Sequence, residues 1–170
     1  MHRKNDKDYD MKKLVFLMVT CVLVLIFTSA SGTVSSDSRI GTKAANFTIG
    51  NDDNVVTLSQ FRGKMVLLTF WSSADAVARL DNMRYNRLTK NNDKLVQLAV
   101  NFDRSRALFD EVVFADSLDT SSQFYCEHQD RKQFEQKWGT VDQYNTYLLD
   151  SRGVVIAVNP SDKELLEAIK

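Results

Sequence analysis

Two almost uninterrupted apolar runs, Met65–Trp71 and Leu95–Phe102, constrain the fold more than any other feature of the chain. Each has the length of a strand, and turn residues such as Gly63 and Lys64 bound the first. A run apolar at successive positions suits a strand buried on both faces of a sheet. Between the runs, Ser72 to Asn92 has helical spacing, with Val77, Leu80, Met83 and Leu88 predicted to face inward. Ser72-Ser73-Ala74-Asp75 supplies an S-x-x-D start signal for that helix. Strand, helix and strand in this order form a βαβ unit, whose crossover is right-handed. The fold class is therefore α/β.

The rest of the chain extends that pattern. Asn46–Ile49 and Val55–Thr57 are short strand-like pieces around the turn-rich residues 50–54. Ser105 to Ser117 reads as a helix, with Leu108, Phe109, Val112 and Ala115 on one face. Gln123–Cys126 is a strand candidate, and Asp130–Trp138 a polar helix closed by Gly139. Tyr144–Leu149 and Val154–Val158 read as a hairpin around Asp150-Ser151-Arg152-Gly153. Pro160-Ser161-Asp162 opens a last helix, Lys163–Lys170, with Leu165, Leu166 and Ile169 inward.

Composition removes several functions. Lys plus Arg and Asp plus Glu both number 22, a formal net charge of zero, which leaves no electrostatic footprint for nucleic acid. The cysteines are Cys21 and Cys126, and the histidines His2 and His128. There is no C-x-x-C, no zinc-ligand set and no disulfide framework, so neither a metal nor another cofactor is expected.

The first thirty residues read as a secretory signal peptide. Lys12-Lys13 precede Leu14 to Phe27, apolar but for Thr20, and small residues follow from Thr28 to Gly32. Met11 is a plausible true start, since Met11-Lys12-Lys13 makes a compact basic region. As a helix the apolar run covers about 21 Å, against about 30 Å of hydrocarbon. Cleavage after Ala30 is therefore favoured, and residues 14–30 would touch the membrane only if left uncleaved. Cys21 lies inside the apolar run, which speaks against lipid attachment and for a small hydrophobe. Residues 31–39 form a polar linker and residues 40–170 the domain. The expected location is outside the cytoplasm, in the periplasm or cell envelope.

Local motifs add a resemblance. Gly41-Thr42-Lys43-Ala44-Ala45-Asn46-Phe47 resembles the G-x-K-A-P-x-F opening of exported TlpA/ResA-type thiol–disulfide oxidoreductases and AhpC/TSA peroxiredoxins. Val56 to Lys64 is similar to their V-x-L-S-D-F-K-G-K, and Val66 to Ser73 to V-L-L-N-F-W-A-S. Trp138-Gly139, then Tyr147 to Gly153, resembles Y-G-V … F-L-I-D-x-x-G. These segments run in order through residues 40–170. The resemblance implies a thioredoxin-like fold, a central mixed β-sheet flanked by α-helices.

The departures fall on the chemistry. Where the family has C-x-x-C, the resemblance places Asp75 on the attacking cysteine and Ala78 on the resolving one. Where it has a cis-proline, Tyr144 stands. A non-proline cis bond costs about 2.5–4 kcal/mol, so a trans bond is expected there. Asp75 reads as a helix cap, because the field that stabilises a thiolate at a helix N-terminus also suits a carboxylate. Cys126, two residues before His128, reads as a half-buried core cysteine; the alternative is a thiolate–imidazolium pair. Trp71 and Trp138 read as packing residues. Asp103, Asp110, Glu111 and Asp116 read as a solvated face without a calcium loop.

Two functions follow as expectations. One is a redox-inactive module that binds another envelope protein or polypeptide through a groove remodelled by Asp75 and Tyr144. The other is a single-thiol oxidoreductase or peroxidase using Cys126. The exposure and pKa of that thiol discriminate between them.

Overall fold

The computed structural model describes residues 38–50, 54–90, 92–140 and 143–170. The predicted signal peptide, its Met11 start, Cys21 and all but the end of the predicted linker lie outside them. Arg39, at that end, donates to the carbonyl of Trp138 and to the Tyr147 hydroxyl.

Strands β1 (Thr48–Ile49) and β2 (Val56–Thr57) form a small antiparallel hairpin. A five-stranded sheet has the order β5-β4-β3-β6-β7. Its members are β3 (Met65–Trp71), β4 (Leu95–Asn101), β5 (Gln123–Tyr125), β6 (Thr146–Leu149) and β7 (Val155–Val158). β3, β4 and β5 run parallel, and β6 and β7 return antiparallel, so the sheet is mixed. Four helices accompany it among the described residues: α1 (Ala76–Thr89), α2 (Arg106–Ala115), α3 (His128–Trp138) and α4 (Asp162–Ala168).

The apolar run of β3 is explained by burial on both faces. Val66, Leu68 and Phe70 join one core with Phe47, Phe134, Trp138 and Tyr147. The alternate residues face the other way, Leu67 toward Tyr85 and Leu165, and Trp71 toward Ala78, Phe109 and Val112. This is the two-residue period of a strand applied to a fully covered sheet. Trp71 and Trp138 are both packing residues, 0% and 3% exposed. Gly139, at φ 65°, takes the left-handed conformation that ends α3.

Three helix faces differ from the sequence expectation. In α1, Val77 and Leu80 are 71% and 65% exposed, while Ala78, Asn82, Tyr85 and Asn86 are buried. The cause lies on the sheet, where Gln97 and Gln123 are buried and need polar partners. Asn82 Nδ2 donates to Gln123 Oε1 at 3.0 Å, Gln97 Nε2 to Asn82 Oδ1 at 2.8 Å, and Asn86 Nδ2 to Gln97 Oε1 at 3.1 Å. A helix turned to bury Val77 and Leu80 would strand these amides. In α2, Phe109, Val112 and Val113 face inward, and Leu108 and Ala115 are exposed. In α4, Leu165 alone is buried and Leu166 is exposed.

Candidate functional site

The site is built where β3 and β4 end side by side. The C-terminal ends of neighbouring parallel strands are where open α/β sheets place ligands. Trp71 passes into Ser72-Ser73-Ala74-Asp75, and Asn101 into Phe102-Asp103. The helix predicted to begin at Ser72 begins instead at Ala76, because residues 72–74 are held as a loop by Asp103. Its Oδ1 accepts the Ser72 hydroxyl at 2.7 Å, the Ser73 N–H at 2.7 Å and the Ser73 hydroxyl at 2.9 Å. Its Oδ2 accepts Asn101 Nδ2 at 3.0 Å, and Asn101 Oδ1 accepts the Asp103 N–H at 2.8 Å.

Asp103 is 2% exposed, so it is not part of a solvated acidic face. Asp116 leaves that face too. Arg79, on α1, holds Asp116 through two bonds, from Nε at 2.8 Å and from Nη2 at 2.7 Å. Only Asp110 and Glu111 of the four acidic residues remain as expected.

Asp75 is the N-cap of α1. Its extended backbone, φ −101° and ψ 104°, turns Oδ1 onto the N–H groups of Val77 and Ala78, both at 3.0 Å. The carboxylate thereby satisfies two of the donors that a helix start leaves open. Ala78 is buried against Trp71.

Tyr144 faces this loop from the segment before β6. Its peptide bond is trans. The ring is half-buried, 5.7 Å from that of Phe102. Burial pushes the phenol's pKa up, against the lowering effects of a hydrogen bond shared with Ser72 and of the Arg131 charge, and the charges of Asp103 and Asp75 add to the rise. The three positions singled out in the sequence, Asp75, Ala78 and Tyr144, are thus neighbours around one loop. Arg131, from α3, joins them: its guanidinium donates to the carbonyls of Phe102, at 3.0 Å, and Asp103. The sequence reading missed Asp103, Asn101 and Arg131 as parts of this site. The pairing of the two strand ends was the signal available for the first two.

The structure keeps Cys126 and His128 apart in character. Cys126 follows β5 and is fully buried, with its thiol 3.7 Å from the carbonyl of Glu127. Burial pushes the thiol up to about 12, opposed by the nearby Arg131 charge. His128 stands exposed on the first turn of α3. Among the described residues no three His, Cys, Asp or Glu side chains gather as a metal site, and no helix is long and apolar enough to cross a membrane.

Neither a family model nor a curated protein matches the sequence. Solved structures do match it. A thioredoxin-like protein from Parabacteroides distasonis is 28% identical, over 62% of this chain and 79% of that one, with a TM-score of 0.58. The thioredoxin domain of a thiol–disulfide oxidoreductase from Bacteroides vulgatus is 22% identical, over 76% and 94%, with a TM-score of 0.66. A thiol:disulfide interchange protein from Bacteroides sp. is 21% identical, over 76% and 87%, with a TM-score of 0.63. Sheet order, helix placement and these likenesses agree: the chain has a thioredoxin-like fold, the fold that these thiol–disulfide oxidoreductases share.

Proposed function

We propose that the protein is an exported, redox-inactive thioredoxin-fold module that binds another protein or an extended polypeptide in the periplasm or cell envelope. One observation carries the reading. At the mouth of the fold, where the resemblance places the dithiol, the Asp75 carboxylate caps the backbone of Val77 and Ala78 and leaves no sulfur to exchange. The state of Cys126 supports it as well. Exchange and peroxide reduction need an accessible thiolate, and this thiol is buried and neutral at pH 7.

Binding has surface to work with. Val77 and Leu80 stand exposed on the first turns of α1, beside the loop that Tyr144 faces. A tyrosine with an apolar body and a polar tip is well suited to gripping a polypeptide. The test is a titration of the 170-residue chain with fluorescein-labelled, reduced and carboxymethylated lactalbumin. Saturable binding is expected, at least tenfold weaker when Tyr144→Ala is combined with Leu80→Ser, and unchanged by Cys126→Ser. Equal affinity of parent and double variant would contradict the reading.

A further inference from the structure

The end of the sheet away from the Asp75–Tyr144 mouth gathers positive charge around one glycine. Lys64 precedes β3 and Asp150 follows β6, and Val66 pairs with Leu149, so both stand where β3 begins. Three chain segments meet there. The Gly63 N–H donates to the Ser151 carbonyl at 2.8 Å, and the Ala44 N–H to the Gly153 carbonyl at 2.9 Å. Lys43 forms a β-bridge with Val154. Gly153, at φ 77°, has no side chain, and the Arg62 guanidinium occupies the space that a Cβ would fill.

Lys43, Arg62, Lys64 and Arg152 are all exposed. The one carboxylate in these segments, Asp150, is already spent. Its Oδ1 accepts the N–H groups of Arg152 at 2.9 Å and Val154 at 2.8 Å, and its Oδ2 accepts Arg152 Nε at 3.1 Å and Nη2 at 3.0 Å. Asp93 and Lys94, at the start of the neighbouring β4, cancel in charge. Among the described residues no carboxylate forms an ion pair with Lys43, Arg62 or Lys64. Like charges gathered in one place repel, and a counter-charge from outside the chain relieves that repulsion. The chain as a whole has a formal net charge of zero, so these cations are a local excess.

We propose that this end docks the protein on an anionic lipid surface, with Lys43, Arg62, Lys64 and Arg152 against the phosphate headgroups. A protein partner fits less well. None of the exposed large apolar residues described belongs to these three segments, so the patch lacks the apolar centre that anchors a protein interface. Charge spread over exposed side chains suits a bilayer, where the number of cations within reach of the surface sets the affinity. Docking by this end leaves the mouth, at the other end of β3, facing away from the lipid. The proposal does not depend on what that mouth binds.

The test is cosedimentation of the 170-residue chain with vesicles of phosphatidylcholine, with or without one-third phosphatidylglycerol. Binding to the anionic vesicles is expected to be at least tenfold tighter than to the neutral ones, and to weaken as salt rises. Each Lys or Arg near such a surface adds about fivefold. Lys43→Gln, Arg62→Gln and Lys64→Gln together should therefore weaken binding at least tenfold. Lys43→Gln with Lys64→Gln alone leaves Arg62 in its place over Gly153, and should still weaken it at least fivefold. Any pull of Lys12-Lys13 and the apolar run after them is the same in parent and variants, so the comparison isolates the patch. Tyr144→Ala should leave the affinity unchanged. Equal binding to both kinds of vesicle, or variants that bind as the parent does, overturns the proposal. So does hexaglutamate bound as tightly as the anionic vesicles and released by the same substitutions, which would assign the patch to an acidic polypeptide.

Discussion

The Asp75 carboxylate accepts the backbone N–H of Ala78 at 3.0 Å, so of the two residues that the resemblance sets in place of the dithiol, one caps the other. Asp75→Ala should therefore cost about 0.5–2 kcal/mol at pH 7, the usual worth of such a cap. Asp75→Asn, which keeps an accepting oxygen, should recover most of that loss. Urea unfolding of the three proteins decides it. A parent no more stable than Asp75→Ala would mean that the carboxylate is not there to cap.

Asp103 should matter more than Asp75. Its removal strands the hydroxyls of Ser72 and Ser73, the Ser73 N–H and the Asn101 amide, in surroundings where Ser72 and Asn101 are 5% and 0% exposed. Each buried donor left unpaired costs about 1–3 kcal/mol. Asp103→Ala is expected to lose about 3 kcal/mol or more in the same urea experiment, with Asp103→Asn losing less. A loss below that of Asp75→Ala would show that the loop is held by something else.

Cys126 gives a pH dependence with a definite sign. Its folded value is raised from 9.0 to about 12 by burial, while the unfolded thiol ionises near its ordinary value. The folded state then holds the proton that the unfolded chain gives up, so stability is intact below pH 9 and falls as pH rises toward 12. Tyr85, also pushed up to about 12 by burial, adds to the fall above pH 10. Thermal unfolding from pH 7 to pH 11 should show this decline, smaller in Cys126→Ala. Under native conditions at pH 8, iodoacetamide should alkylate Cys126 at least 100-fold more slowly than in urea; equal rates would contradict burial.

A dithiol can be built on this frame. Asp75→Cys with Ala78→Cys creates a C-x-x-C at the start of α1, and the pair should close to a disulfide on oxidation. Exchange should stay slow, because Tyr144 still fills the facing wall beside Phe102. Adding Tyr144→Pro should raise the rate of insulin reduction at least tenfold. A double variant as fast as the triple would show that Tyr144 is no obstacle.

The sheet was legible in the sequence because β3 and β4 are apolar at nearly every position, and only burial on both faces suits such strands. Two caps were legible too: Asp75 and Gly139 occupy the ends that their chemistry favours. The inward face of α1 was not. Asn82 and Asn86 look solvated until Gln97 and Gln123 are placed opposite them, and those partners are distant in sequence. Asp103 misled for the same reason, since three of its four side-chain donors lie some 30 residues earlier. Polar groups buried by pairing leave no periodic trace, whereas apolar ones do.

The most direct test of the central claim is insulin reduction by dithiothreitol in the presence of the 170-residue chain. A protein whose mouth carries Asp75 and Ala78, and whose thiol at Cys126 is sealed in the core, should give the rate of the reagent blank. A rate clearly above the blank, abolished by Cys126→Ser, would contradict the account and make Cys126 the working thiol.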